Sequence, residues 1–135
     1  MPHLSFEYSG NLATSGRFEK LCRKAAALMA ATRHEGEAVF PLGGIRVRAT
    51  PCQAWCIADG SMEDAGFVHG RLQIGAGRSP AARQAAGDAI FALMTEHFAD
   101  YFAEYPLALS LEISEFSDAG TWKHNNIHAR LAARG

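Results

Sequence analysis

The chain has 135 residues, 48% of them hydrophobic and 20% charged, with a formal net charge of −1. That length suits one domain with a substantial core, and the near-neutral balance gives no electrostatic reason to expect nucleic acid or an anionic membrane. No apolar run approaches a membrane span and Met1-Pro2-His3 is not a basic secretory leader, so a cytoplasmic protein is expected.

Taken in order, residues 3–8 alternate, with Leu4, Phe6 and Tyr8 on one face and His3, Ser5 and Glu7 on the other, which predicts a half-buried strand. Ser9-Gly10-Asn11 breaks it. From about Thr14 to Thr32 the spacing of Phe18, Leu21, Cys22, Ala25, Leu28 and Met29 predicts a helix, ended by Arg33-His34-Glu35-Gly36. After the loop Phe40-Pro41-Leu42-Gly43-Gly44, residues 45–49 alternate as a strand, and Pro51 marks an edge position or a bulge. A third strand covers Phe67 to Ile74. Ser79 and Pro80 suit the N-cap and first position of a second helix, which runs to about Phe102 with Ala82, Ala86, Ala89, Ile90, Leu93, His97 and Tyr101 on its buried stripe. Beyond Pro106 a last strand places Leu107, Leu109, Leu111 and Ile113 on one face.

The order is strand-helix-strand twice, as two pseudo-repeats of roughly 2–62 and 63–117 in one domain of 1–135, followed by a tail, 118–135. No residue-level repeat supports a duplication. Crossovers of this type place the joined strands parallel, and both helices can cover one face of a four-stranded sheet. The other face, with His3, Ser5, Glu7, Ala108 and Ser110, is too sparse for a second core, which predicts a closed homo-oligomer.

Several groups could carry chemistry. Initiator methionine is normally trimmed before a small residue, leaving Pro2 as a free secondary amine at the start of a strand. An ordinary α-amine titrates at about 7.7–8.0. Burial or a neighbouring guanidinium lowers that value and yields a workable base near neutral pH. Proline at this position is also common by chance. Ten of the 13 basic residues are arginine, whose planar fork suits carboxylates, although a GC-rich genome gives the same skew. Arg46 follows a Gly-Gly loop, and Arg78 stands before a helix N-cap, where backbone N–H groups and the helix dipole favour an anion. Gly75-Ala76-Gly77-Arg78-Ser79 also reads as an ordinary strand-to-helix turn, and it lacks the third glycine of a dinucleotide fingerprint. His124 and His128 could share a helix face, but no third ligand of suitable spacing accompanies them, so no metal site is expected. His69 and His97 read as packed, hydrogen-bonded histidines. Cys52 and Cys56, if extended, hold their sulfurs about 13 Å apart, too far for a disulfide; with Cys22 they read as reduced thiols.

Pro2 opening a strand, Phe40-Pro41-Leu42-Gly43-Gly44-Ile45-Arg46, Phe67-Val68-His69, Ile74-Gly75-Ala76-Gly77-Arg78-Ser79 and Asn125-Asn126-Ile127-His128-Ala129 together resemble the 5-carboxymethyl-2-hydroxymuconate Δ-isomerase family of the tautomerase superfamily. The resemblance runs over nearly the whole chain. It implies an α+β fold of tandem β-α-β units, with a four-stranded mixed sheet and two helices on one face, assembled as a homotrimer. It implies a cofactor-independent isomerase of homoprotocatechuate breakdown, with catalytic Pro2 moving a proton and with Arg46 and Arg78 binding the carboxylates of a small polycarboxylate substrate. Residues 10–35 and 49–66 fit the family pattern poorly, and Arg71 puts a charge where an apolar residue is more usual. A tautomerase-fold enzyme of other specificity and a non-catalytic trimeric binder of small carboxylates are the competing readings.

Overall fold

The computed structural model of the chain describes residues 1–134. The elements in order are β1 (His3–Ser9), α1 (Phe18–Ala31), β2 (Arg33–His34), β3 (Glu37–Ala38), β4 (Arg46–Cys52), β5 (Gly66–Gly75), α2 (Pro80–His97), α3 (Ala99–Glu104), β6 (Leu107–Phe116) and α4 (Ile127–Arg134). The main sheet has the order β4-β1-β5-β6. The outer pairs, β1 with β4 and β5 with β6, are parallel, and the central pair, β1 with β5, is antiparallel. This is the expected mixed sheet. It is two β-α-β units joined edge to edge, because each helical crossover returns the chain parallel to the strand it left.

One face of the sheet is covered. Leu4, Phe6 and Tyr8 of β1 and Val68, Leu72 and Ile74 of β5 pack under Phe18, Leu21, Ala25 and Met29 of α1 and Ala86, Ile90 and Met94 of α2. Each fully buried large side chain contributes about 1.5–3 kcal/mol of transfer free energy. Tyr8 stacks on Phe18 at 3.6 Å between ring centroids, tying β1 to the first turn of α1. The opposite face is polar. There Arg71 Nε donates to Glu112 Oε1 at 2.8 Å, and His69 shares the network through Ser110 Oγ at 2.6 Å and Glu112 Oε1 at 3.3 Å. Arg71 and Glu112 are register partners, which accounts for a charge in mid-strand: it has a cross-strand counter-ion. Pro51 lies in β4, an edge strand, as its missing N–H requires.

The structure departs from the sequence expectations at several ends. Helix α1 starts at Phe18, because Gly10–Leu12 form a 3-10 turn and Arg17 adopts a left-handed φ of 49°. Gly36 does not cap α1; with Glu35 at φ 52° and Gly36 at φ 82° it turns a two-residue hairpin between β2 and β3. The second helix does not run straight to Phe102. Phe98, at φ −100° and ψ 12°, divides it into α2 and α3, because neighbours His97 and Phe98 are both buried, the first on Gly16 and the second beside Phe18. Cys56 lies beyond the end of β4, so the extended spacing with Cys52 does not hold, and all three cysteines are free thiols. Among the described residues no helix is long and apolar enough to cross a membrane.

Candidate active site

Pro2 is less than 2% exposed. It is fixed by the sheet, since its carbonyl accepts from the Arg46 N–H at 3.0 Å and the register continues as His3 with Arg46. The Leu42–Gly44 turn leads directly into Arg46, so the two expected site residues meet at one end of the β1–β4 pair. The glycines there are needed for space. A Cβ on Gly44 would stand 3.2 Å from Pro2 Cδ and 3.3 Å from Met1 Cα.

Both arginines are held by backbone carbonyls. Arg46 Nη1 donates to Gly43 O at 3.0 Å and Ile45 O at 2.9 Å, while its Nη2 approaches Met1 Sδ at 3.9 Å. Arg78 Nε donates to Val39 O at 2.9 Å and Nη1 to Gly75 O at 3.0 Å, and the guanidinium lies 5.7 Å from the centroid of the buried Phe40 ring. The hairpin of β2 and β3 delivers Val39 to this point. Ser79 is the expected cap, its Oγ accepting from Ala82 N at 3.1 Å with Pro80 following. Burial disfavours the Arg78 cation, with Glu115 opposing; a half-buried guanidinium without an ion pair is a place where an anion gains most.

The tail completes the site. Asn125 Oδ1 accepts from Ile127 N at 2.6 Å at the start of α4, and Asn125 Nδ2 lies 3.9 Å from Met1 Sδ and 3.4 Å from Gly43 O. Partial burial holds the Met1 α-amine below its ordinary value; the charges of Lys123, Arg78 and Arg46 push the same way, and Asp118 opposes. Met1 therefore sits over Pro2 in a cationic setting bounded by Arg46, Gly44 and Asn125.

Sequence reasoning names Pro2, Arg46 and Arg78 as candidates and gives no role to Lys123 or Asn125. The segment 118–126 has no periodicity, and its usable signal was Asn125 as a helix-capping residue two positions before an apolar-basic stretch. His124 precedes α4 while His128 lies within it, so the two do not share a helix face. No group of three or more His, Cys, Asp or Glu able to hold a metal ion occurs among the described residues. A groove of about 810 Å³, lined by Arg83, Asp88, Phe91 and Glu115, runs between α2 and β6. It includes none of Pro2, Arg46 or Arg78, and the perturbed amine and the arginines, not cavity size, decide the choice of site.

Two joined β-α-β units with helices on one sheet face, and an amino terminus set among cations at the head of the first strand, define a tautomerase-like α+β protein. The model of the family described as 5-carboxymethyl-2-hydroxymuconate isomerase matches residues 2–131. The chain belongs to that family. It is 41% identical over 129 residues to a 5-carboxymethyl-2-hydroxymuconate Delta-isomerase of Escherichia coli, covering 96% of this chain and 98% of that protein. Among solved structures, a 5-carboxymethyl-2-hydroxymuconate isomerase from Deinococcus radiodurans R1 superposes with a TM-score of 0.88 at 50% identity, covering 96% of this chain and 93% of the other. A second structure, of a 5-carboxymethyl-2-hydroxymuconate delta-isomerase, gives 0.89 at 34% identity, covering 97% and 93%.

Proposed function

We propose that the chain is an isomerase that converts 5-carboxymethyl-2-hydroxymuconate from its 2-hydroxydienoate form to the 2-oxo-3-enoate, with the amine of Pro2 as general acid and base once Met1 is removed. The nitrogen takes the proton of the 2-hydroxyl. The O–H electron pair becomes the carbonyl π bond, the C2–C3 double bond shifts to C3–C4, and the C4–C5 π pair takes the proton from the ammonium to form the new C5–H bond. One proton leaves oxygen and one reaches carbon, so the step consumes no cofactor. Arg46 and Arg78 hold substrate carboxylates and stabilise the dienolate charge.

The observation that carries this reading is the position of the chain's start: Pro2 buried at the head of β1, beneath an amine whose affinity for protons is reduced by burial and by three cations. The same surroundings favour a neutral amine at Pro2. The polar, uncovered face of the sheet supports a homotrimer with that face inward, which predicts a native mass of three times 14.6 kDa by light scattering.

The test is an ultraviolet assay of ketonisation with wild type, whose intact mass shows loss of Met1, and with Pro2→Ala. A fall of about a hundredfold or more in the variant is expected for a positioned acid–base group. An unchanged rate in the variant would remove Pro2 as the base, and a wild type that retains Met1 and binds carboxylates without turnover would be a non-catalytic binding protein.

A further inference from the structure

Arg23, Arg71 and Arg83 each hold a glutamate within 4 Å. Among the described residues Arg46, Arg78 and Lys123 make no such pair, although all three act on one amine. Lys123 is itself exposed, but the segment that carries it is held in place. Two residues on, Asn125 touches the Met1 side chain and approaches the Gly43 carbonyl, which Arg46 also uses. Beyond that, His128 seats α4 on the Leu42–Gly44 turn. The carboxylate that opposes them at the amine is Asp118, at the other end of the same segment. Like charges around one site repel one another, and an anion that joins them relieves that repulsion.

The substrate proposed above carries three carboxylates: the two ends of the dienedioate and the carboxymethyl arm. We propose that Lys123 is the third carboxylate-binding cation, and that the tail segment carrying it selects the tricarboxylate over the dicarboxylate that lacks the arm. The identity of the substrate rests on the isomerase reading; the third cation subsite does not. The guanidinium groups of Arg46 and Arg78 are anchored to backbone carbonyls and cannot follow a branch, whereas a flexible lysine at the rim can reach one.

The test compares wild type, Lys123→Gln and Lys123→Arg on 5-carboxymethyl-2-hydroxymuconate and on 2-hydroxymuconate, at a pH where the base is fully deprotonated. For Lys123→Gln the KM of the tricarboxylate should rise about tenfold, equivalent to about 1.4 kcal/mol, with kcat little changed. The KM of the dicarboxylate should not move, and Lys123→Arg should behave as wild type. Equal losses on both substrates, or none on either, overturn the assignment. Calorimetry with the unreactive propane-1,2,3-tricarboxylate and pentanedioate separates the two levels of the argument. If wild type turns over neither diene yet prefers the tricarboxylate in a Lys123-dependent way, the isomerase reading fails and the subsite stands. Normal turnover with no Lys123-dependent preference gives the reverse.

Discussion

His128 lies over Gly43 so closely that a side-chain carbon built on the glycine would stand 2.6 Å from the imidazole Nδ1 and 3.0 Å from the histidine Cα. The second contact is with backbone, so rotating the ring does not relieve it. Gly43→Ala should therefore push α4 away from the turn, at a cost of about 1–3 kcal/mol typical of an overpacked contact. Asn125 and Lys123 leave the amino terminus with it. Amide exchange across residues 127–134 should accelerate and kcat/KM should drop. Unaltered protection in that helix would show that the glycine is not what seats it.

Arg78 separates charge from shape. Its Nε and Nη1 reach carbonyls of two different segments, Val39 and Gly75. A lysine keeps the charge but cannot serve both while also facing a carboxylate. Arg78→Lys should therefore lose about tenfold to a hundredfold in kcat/KM, or roughly 1.4–2.7 kcal/mol. Arg78→Ala should lose more, with KM rising. A lysine variant equal to wild type would mean that the site asks only for positive charge.

The acid limb of kcat/KM should titrate below the ordinary α-amine range of about 7.7–8.0, since burial and neighbouring cations lower the Met1 amine and the same groups face the Pro2 amine once Met1 is removed. A base works when deprotonated, so activity falls as pH falls through its pKa. Removing a positive neighbour raises that pKa. In Lys123→Gln the limb should therefore move to higher pH on either substrate, leaving the plateau of the dicarboxylate unchanged. A limb that stays in place would remove Lys123 from the surroundings of the base.

His97 gives a stability prediction independent of the site. It is 5% exposed, and its Nε2 donates to Gly16 O at 2.8 Å, leaving Nδ1 buried without a partner. Burial lowers its pKa, opposed by the Gly16 bond, with Arg17 and two lysines assisting. The unfolded chain then binds the extra proton below about pH 6.5. Stability is complete above that value and declines as pH falls through it, by up to about 1.4 kcal/mol per unit. Urea unfolding of wild type between pH 7.5 and 5.5 should show this slope, and His97→Gln should flatten it. An equal slope in the variant would assign the effect to other groups.

The sequence made the strands legible where one face alone is buried, as in Leu4-Phe6-Tyr8 and Leu107-Leu109-Leu111, because period-two burial leaves a period-two record. Arg46 and Arg78 stand out as candidates by position, one after paired glycines and the other before a cap. What was hidden was set by tertiary contact. Nothing local marks Phe98 as a helix break; its burial beside Phe18 does that. Residues 33–38 are too few to show a period, and their hairpin depends on two positive φ angles. Lys123 and Asn125 acquire meaning only when the chain folds back over 120 residues to its start, a relation no spacing rule contains.

The sheet's central antiparallel pair makes a local dyad that relates the head of β1 to the head of β5; because such a dyad keeps each side chain on its face, His3 with Arg46 on one side matches Phe67 with Ala108 on the other. Gly66 then occupies the counterpart of Pro2, but there the chain passes through without a break. Its nitrogen is an amide that donates to Pro106 O at 3.0 Å and has no lone pair to offer a proton. Ala108 stands where the arginine would be. The frame is thus twofold in shape and onefold in reactivity, and grafting an arginine at 108 would not create a second centre, since basicity at this place can arise only where a polypeptide begins.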